Sequence, residues 1–110
     1  MKQREIWYAD LDPARGSEQR GSRPVVIISG DLLNEYLKIV IACPLTSKIK
    51  NYKGNLILEP SEQNGLQSRS EVMTFQIRSI SKDRLVKKIG SISKEELARI
   101  KQGLDDILRY

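Results

Sequence analysis

The run Val25-Val26-Ile27-Ile28 constrains the fold more than any other stretch of this 110-residue chain. Four β-branched residues in succession favour strand over helix. Side chains along a strand point alternately to its two faces, so an apolar run without alternation is expected to be buried on both. The run is entered abruptly. A polar stretch at residues 14–22, rich in Gly, Ser and Arg, ends in Arg23-Pro24 and leads straight into it. That stretch has few apolar groups with which to fold itself, so a scaffold must hold it at both ends.

The rest of the chain reads as more short strands and one helix. Residues 6–11 form an opening strand and 24–29 a second. Residues 31–37 are a linking stretch with a helical turn, and 38–45 are a third apolar strand ended by Pro44. The basic segment 46–54, with Lys48, Lys50 and Lys53, reads as an exposed loop. A short strand at 55–59 precedes an Asn64-Gly65 turn signal. Residues 71–79, with Val72, Met73, Phe75 and Ile77, read as one longer strand. Ser81 caps a single helical turn, and 86–92 is a last short strand.

The final element is the clearest. Ser93 and Glu96 make an S-x-x-E capping box, and Leu97, Ile100, Leu104, Ile107 and Leu108 fall on one helical face. Gly103 within it costs up to ~1 kcal/mol relative to Ala, so this helix depends on packing. The pattern predicts a mostly β, antiparallel fold with a packed C-terminal helix, in a single domain spanning 1–110, since a second core could not be built from the remainder.

Composition narrows the chemistry. Histidine is absent, which removes Ser-His-Asp and Cys-His hydrolases, His-ligated metals and paired-histidine ribonucleases. The one cysteine, Cys43, lies inside an apolar run and reads as a small buried hydrophobe rather than a nucleophile. No Cys/His cluster is present to hold zinc, and neither a metal nor any other cofactor is expected. Acid–base work must come from carboxylates, Lys, Arg, Tyr or hydroxyls. The net charge of +5 suggests a polyanionic partner. No apolar run approaches the ~18 residues of a bilayer span, and no signal-peptide core follows Met1, so a cytoplasmic protein without membrane partners is expected.

Four segments, taken in order, resemble the MazF/PemK family of toxin endoribonucleases. Asp12-Pro13, the loop Gly16-Ser17-Glu18-Gln19 and Arg23-Pro24 look like its first signature, and Pro44-Leu45-Thr46-Ser47 looks like its PLTS strand end. Asn64-Gly65-Leu66 followed by Gln76-Ile77-Arg78-Ser79-Ile80 looks like its G-L and Q-I-R-T-I block. Leu85 to Ile89, with Gly90, matches its L-x-x-K-I-G run. Arg4-Glu5 stands where members commonly have Gly-Asp, and Ser79 replaces a usual Thr. The resemblance covers most of residues 6–108 and implies an SH3-like, partly open β-barrel of the CcdB/MazF type with a C-terminal helix.

Carried over position by position, the resemblance makes Arg23 and Thr46 the catalytic pair. A guanidinium offers bidentate donors to phosphate oxygens, and a threonine hydroxyl donates one more. Glu18, the nearest loop carboxylate, is the candidate to position or deprotonate the substrate's 2′-hydroxyl. RNA contacts are expected from Ser17, Gln19, Arg20, Lys48 and Gln76. Lys50, Lys53, Lys87 and Lys88 read as solvated charges, and Trp7 as core packing. Each residue also has a plainer reading: Arg23 a surface strand-end arginine, Thr46 a turn hydroxyl on its own backbone, Glu18 a solvated loop charge.

The resemblance implies a sequence-selective, metal-independent endoribonuclease toxin acting on single-stranded RNA. It would work as a homodimer, be neutralised by a MazE-like antitoxin, and leave 2′,3′-cyclic phosphate and 5′-hydroxyl ends. Two alternatives stay open: a CcdB-like toxin that binds DNA gyrase without nuclease activity, and a non-catalytic RNA- or protein-binding barrel.

Overall fold

The computed structural model describes residues 1–11 and 22–110, so Asp12-Pro13, Ser17, Glu18, Gln19 and Arg20 lie outside the described residues. Among the described residues there are seven strands: β1 (Glu5–Asp10), β2 (Ser22–Ile27), β3 (Ile39–Thr46), β4 (Ile57–Leu58), β5 (Ser70–Val72), β6 (Arg78–Ser81) and β7 (Leu85–Ser91). Two helices join them, α1 (Asp31–Tyr36) and α2 (Lys94–Arg109). Strand order is β4-β5-β3-β2-β1-β7, with β6 also on β3, and every pairing is antiparallel. No helix among the described residues is long and apolar enough to cross a membrane.

One short connection forces the sheet to curl. A single 3₁₀ turn, Lys82–Arg84, joins β6 on the outer side of β3 to β7 on the outer side of β1. In a flat sheet those strands would stand four spacings apart, roughly 19 Å. The four residue steps from Ser81 to Leu85 reach about 14 Å when fully extended, and less in a 3₁₀ turn. The sheet therefore rolls toward closure, and the expected partly open barrel follows.

The rolled sheet has two buried faces. Val25 and Ile27 of β2 point into the barrel with Ala9, Val40, Ala42, Ile80 and Leu85, and Trp7 and Leu11 pack beside them. Val26 and Ile28 point outward into a second cluster with Ile6, Cys43, Leu45, Leu58 and Val72, roofed by Leu97 and Ile100 of α2. Burial of Val25-Val26-Ile27-Ile28 on both sides is thus what the lack of alternation predicts. Trp7 is partly buried, packing against the inner core, and its indole N–H donates to Glu5 Oε1 at 2.9 Å.

The predicted strand over 71–79 is broken, and Pro44 explains where. Leu45 pairs with Val72 and Ala42 with Arg78, so two residues of β3 face five on the other side. Pro44 accepts a hydrogen bond from Met73 N at 2.8 Å but has no N–H to give back, so the ladder stops there. The surplus residues coil into a 3₁₀ turn, Thr74–Gln76. In an unbroken strand Val72 and Ile80, eight residues apart, would share a face. The insertion instead lets Val72 enter the outer core and Ile80 the inner one.

Helix α2 starts on the predicted capping box. Glu96 N donates to Ser93 Oγ at 3.1 Å and Ser93 N to Glu96 Oε1 at 2.8 Å. Gly103 is there for close approach: a Cβ would lie 3.0 Å from the carbonyl oxygen of Gly54, so the helix rests directly on the loop before β4. The predicted apolar face is not buried to its end: Ile107 is half exposed and Leu108 is 84% exposed.

Candidate functional site

Arg23 lies in β2, opposite Ala9 of β1, and Thr46 is the last residue of β3. The β2–β3 register, Val25 opposite Pro44, extended by two residues sets Arg23 opposite Thr46. Alternation puts both side chains on the inward face at the barrel rim. Both line one open cavity of about 500 Å³, together with Lys48 and Gln76. Of the sequence-predicted site residues, the four that are described therefore meet in one place. Glu18, Ser17, Gln19 and Arg20 lie outside the described residues.

Lining residues that the sequence reading did not assign to the site include Lys50, Tyr52 and Phe75. Lys50, read from sequence as a solvated charge, faces the cavity, and Tyr52 stands beside it. Lys88 is no free cation either, since its Nζ pairs with Glu5 Oε2 at 3.2 Å. Three cations thus border the cavity, and among its described lining residues there is no carboxylate. The field there favours an anion.

Thr46 Oγ1 accepts the backbone N–H of Lys48 at 3.1 Å. The plain reading of a turn hydroxyl is therefore realised, and it does not compete with a functional one. The acceptor bond fixes the oxygen, while the hydroxyl hydrogen has no acceptor among the described residues and can be donated into the cavity.

The loop carrying Lys48, Lys50 and Tyr52 is held from below by Glu71. This residue is 0% exposed. Its Oε1 accepts from Lys50 N at 2.8 Å and Asn51 N at 2.9 Å, and its Oε2 from Tyr52 N at 2.8 Å and Asn55 Nδ2 at 3.0 Å. Asn51 takes φ +57°, a left-handed conformation that Asn tolerates, and so turns successive N–H groups toward one anion. Burial acts to raise the Glu71 pKa. The donors, the Asn55 side chain foremost among them, outweigh it and hold the carboxyl below its ordinary value. The only sequence signal was an acidic residue in an apolar strand, with no mark of its partner loop.

The broken strand matters here as well. The turn Thr74–Gln76 buries Thr74 and sends Phe75 and Gln76 into the cavity wall. Cys43 takes no part. It is fully buried, and burial pushes its thiol up to about 12, as suits a core residue.

A rim of guanidinium, ammonium and hydroxyl groups on a partly open β-barrel is the arrangement expected of a small protein that takes an anionic ligand. Residues 2–108 match the family of PemK-like, MazF-like toxins of type II toxin–antitoxin systems. The chain is 38% identical over 109 residues to endoribonuclease MazF9 of Mycobacterium tuberculosis, covering 94% of this chain and 92% of that protein. It is 32% identical over 105 residues to endoribonuclease EndoA of Bacillus subtilis, covering 94% and 90%. The MazE–MazF crystal structure (Form-II) from Deinococcus radiodurans superimposes with a TM-score of 0.83 at 26% identity, over 98% of this chain and 95% of that one. The chain belongs to the PemK/MazF family of toxins.

Proposed function

We propose that this protein is a sequence-selective, metal-independent endoribonuclease that cleaves single-stranded RNA. The observation carrying the reading is that Arg23 and Thr46, from strands distant in sequence, share one rim with Lys48, Lys50 and Gln76. In the proposed reaction the RNA supplies its own nucleophile. The 2′-oxygen loses its proton to a base and bonds to phosphorus, the P–O5′ bond breaks, and the departing 5′-oxygen takes up a proton. The products carry 2′,3′-cyclic phosphate and 5′-hydroxyl ends.

Arg23 neutralises the charge that builds on the phosphorane, where its fork matches two oxygens. It is a poor proton carrier, with a pKa above ~12. Thr46 donates its hydroxyl hydrogen to a non-bridging oxygen from a position fixed by Lys48 N–H. Lys48 and Lys50 hold the flanking phosphates, and Gln76 reads a base edge. Glu18 is the candidate base, with Ser17, Gln19 and Arg20 completing the RNA contacts.

The protein acts as a homodimer and is neutralised by a MazE-like antitoxin, whose acidic segment would cross the basic rim and exclude RNA. The Deinococcus relative was crystallised as MazE–MazF, which supports this partner.

The test is purified protein with a long single-stranded transcript in EDTA. Discrete fragments with the stated ends are expected, and Arg23→Ala and Thr46→Ala should each strongly slow their formation. Intact RNA, or cleavage indifferent to both substitutions, would sink the reading. Gyrase trapped on DNA with RNA left whole would decide instead for a gyrase-binding toxin.

A further inference from the structure

We propose that Tyr52 and Phe75 form a stacking site for one unpaired base of the RNA, next to the phosphate held by Arg23 and Thr46; this rests on the ribonuclease reading above. The two rings meet edge to face, with centroids 5.3 Å apart and planes at 86°. Each stays about half exposed, at 47% and 48%. Phe75 is the only phenylalanine of the chain, and it lies at the rim rather than in either core.

Both rings are presented by backbone that is held in place. Tyr52 N donates to the buried Glu71 carboxylate, and Phe75 occupies the turn forced by Pro44. An edge-to-face pair supports each ring against its neighbour and leaves ring faces open to a third aromatic. Lys48, Lys50 and Arg23 line the same cavity, so the ligand that fits combines negative charge with flat aromatic groups. An unstacked RNA strand has that chemistry, and base–aromatic stacking tolerates every base while still favouring good stackers.

The experiment uses the full-length protein and a short RNA containing the cleavage site mapped on the transcript. Phe75→Ala and Tyr52→Ala are each expected to lower kcat/KM roughly five- to a hundredfold, the usual range for one lost stack. Phe75→Tyr and Tyr52→Phe should keep most activity. The same RNA is then made with an abasic ribonucleotide at each position flanking the scissile bond. At one position the wild type should fall by a similar factor and the alanine variants should lose nothing further.

A purely structural pair gives another pattern: the alanine variants stay below wild type by the same factor on every abasic RNA. That result overturns the stacking site. So does unchanged cleavage by both variants, which would leave the pair to a protein ligand. A wild type that cuts no RNA overturns the ribonuclease reading itself, and is told apart from the other outcomes by its own inactivity.

Discussion

Replacing Glu71 by Gln removes the charge that organises the cavity loop while preserving shape. In the native chain each carboxylate oxygen accepts two hydrogen bonds, from Lys50 N and Asn51 N on one side and from Tyr52 N and Asn55 Nδ2 on the other. Gln keeps one oxygen, so either orientation of its amide leaves two donors facing an NH₂ group in a site without solvent. A hydrogen bond to a charged group is worth about 1.5–3 kcal/mol, and an orphaned buried donor costs about 1–3 kcal/mol. Part of this is recovered as the loop opens to water, so the expected net loss is about 2–4 kcal/mol. Urea unfolding monitored by Trp7 fluorescence measures it. A variant within ~0.5 kcal/mol of wild type would refute the clamp.

The same clamp has a pH signature. The folded carboxyl has a lowered pKa, so its contribution is fully present above the ordinary value of 4.5 and lost as pH falls through the lower folded value. The gap between wild type and Glu71→Gln should therefore hold constant above about pH 5.5 and shrink below about pH 4.5. A gap that widens on acidification would contradict the sign. The variant should also lose RNA affinity, since Lys48, Lys50 and Tyr52 are no longer fixed at the rim.

Thr46→Val, which keeps volume but not the hydroxyl, is expected to slow single-turnover RNA cleavage by roughly 10²–10³, with Thr46→Ser close to wild type. Equal rates for Val and Ser would exclude the hydroxyl. Lys50→Ala should flatten the salt dependence of single-stranded RNA binding by about 0.7 in the log–log slope, whereas Lys87→Ala on β7 should leave it unchanged. Fluorescence titrations at several salt concentrations decide this. Gly65→Ala should destabilise by at least ~2 kcal/mol, because Gly65 has φ +67° and its Cβ would lie 1.9 Å from the Ile89 carbonyl oxygen. Gly30→Ala, with open space around it, should be near neutral, and thermal melts of the two variants beside wild type check both.

What could be read from the chain was local. Val25-Val26-Ile27-Ile28 announced a doubly buried strand, Ser93 and Glu96 a helix start, Ser81 a capped turn, and Asn64-Gly65 a reversal, because each signal lies within a few residues of its effect. What could not be read needed a neighbour. Residues 71–79 look like one strand, and the reason they are not sits on β3, where Pro44 lacks the N–H that pairing requires. Lys50 reads as a solvated charge and is exposed, but that it also borders the cavity depends on Glu71, 21 residues away, which holds its segment. Ile107 and Leu108 fit the helical stripe, yet the one is half exposed and the other almost fully so. Arg23 and Thr46 were named through family resemblance, and their meeting depends on the β2–β3 register, which the chain does not spell out locally.

The interruption opposite Pro44 also separates what the protein must conserve from what it can vary. Of the three residues in the turn only Thr74 is buried, and neither Phe75 nor Gln76 contributes to a strand pairing or to either core. Exchanging those two side chains leaves register, barrel closure and the Arg23–Thr46 rim as they are. If the proposed RNA contacts hold, these two positions are where base preference could be altered with little change in the stability of the fold.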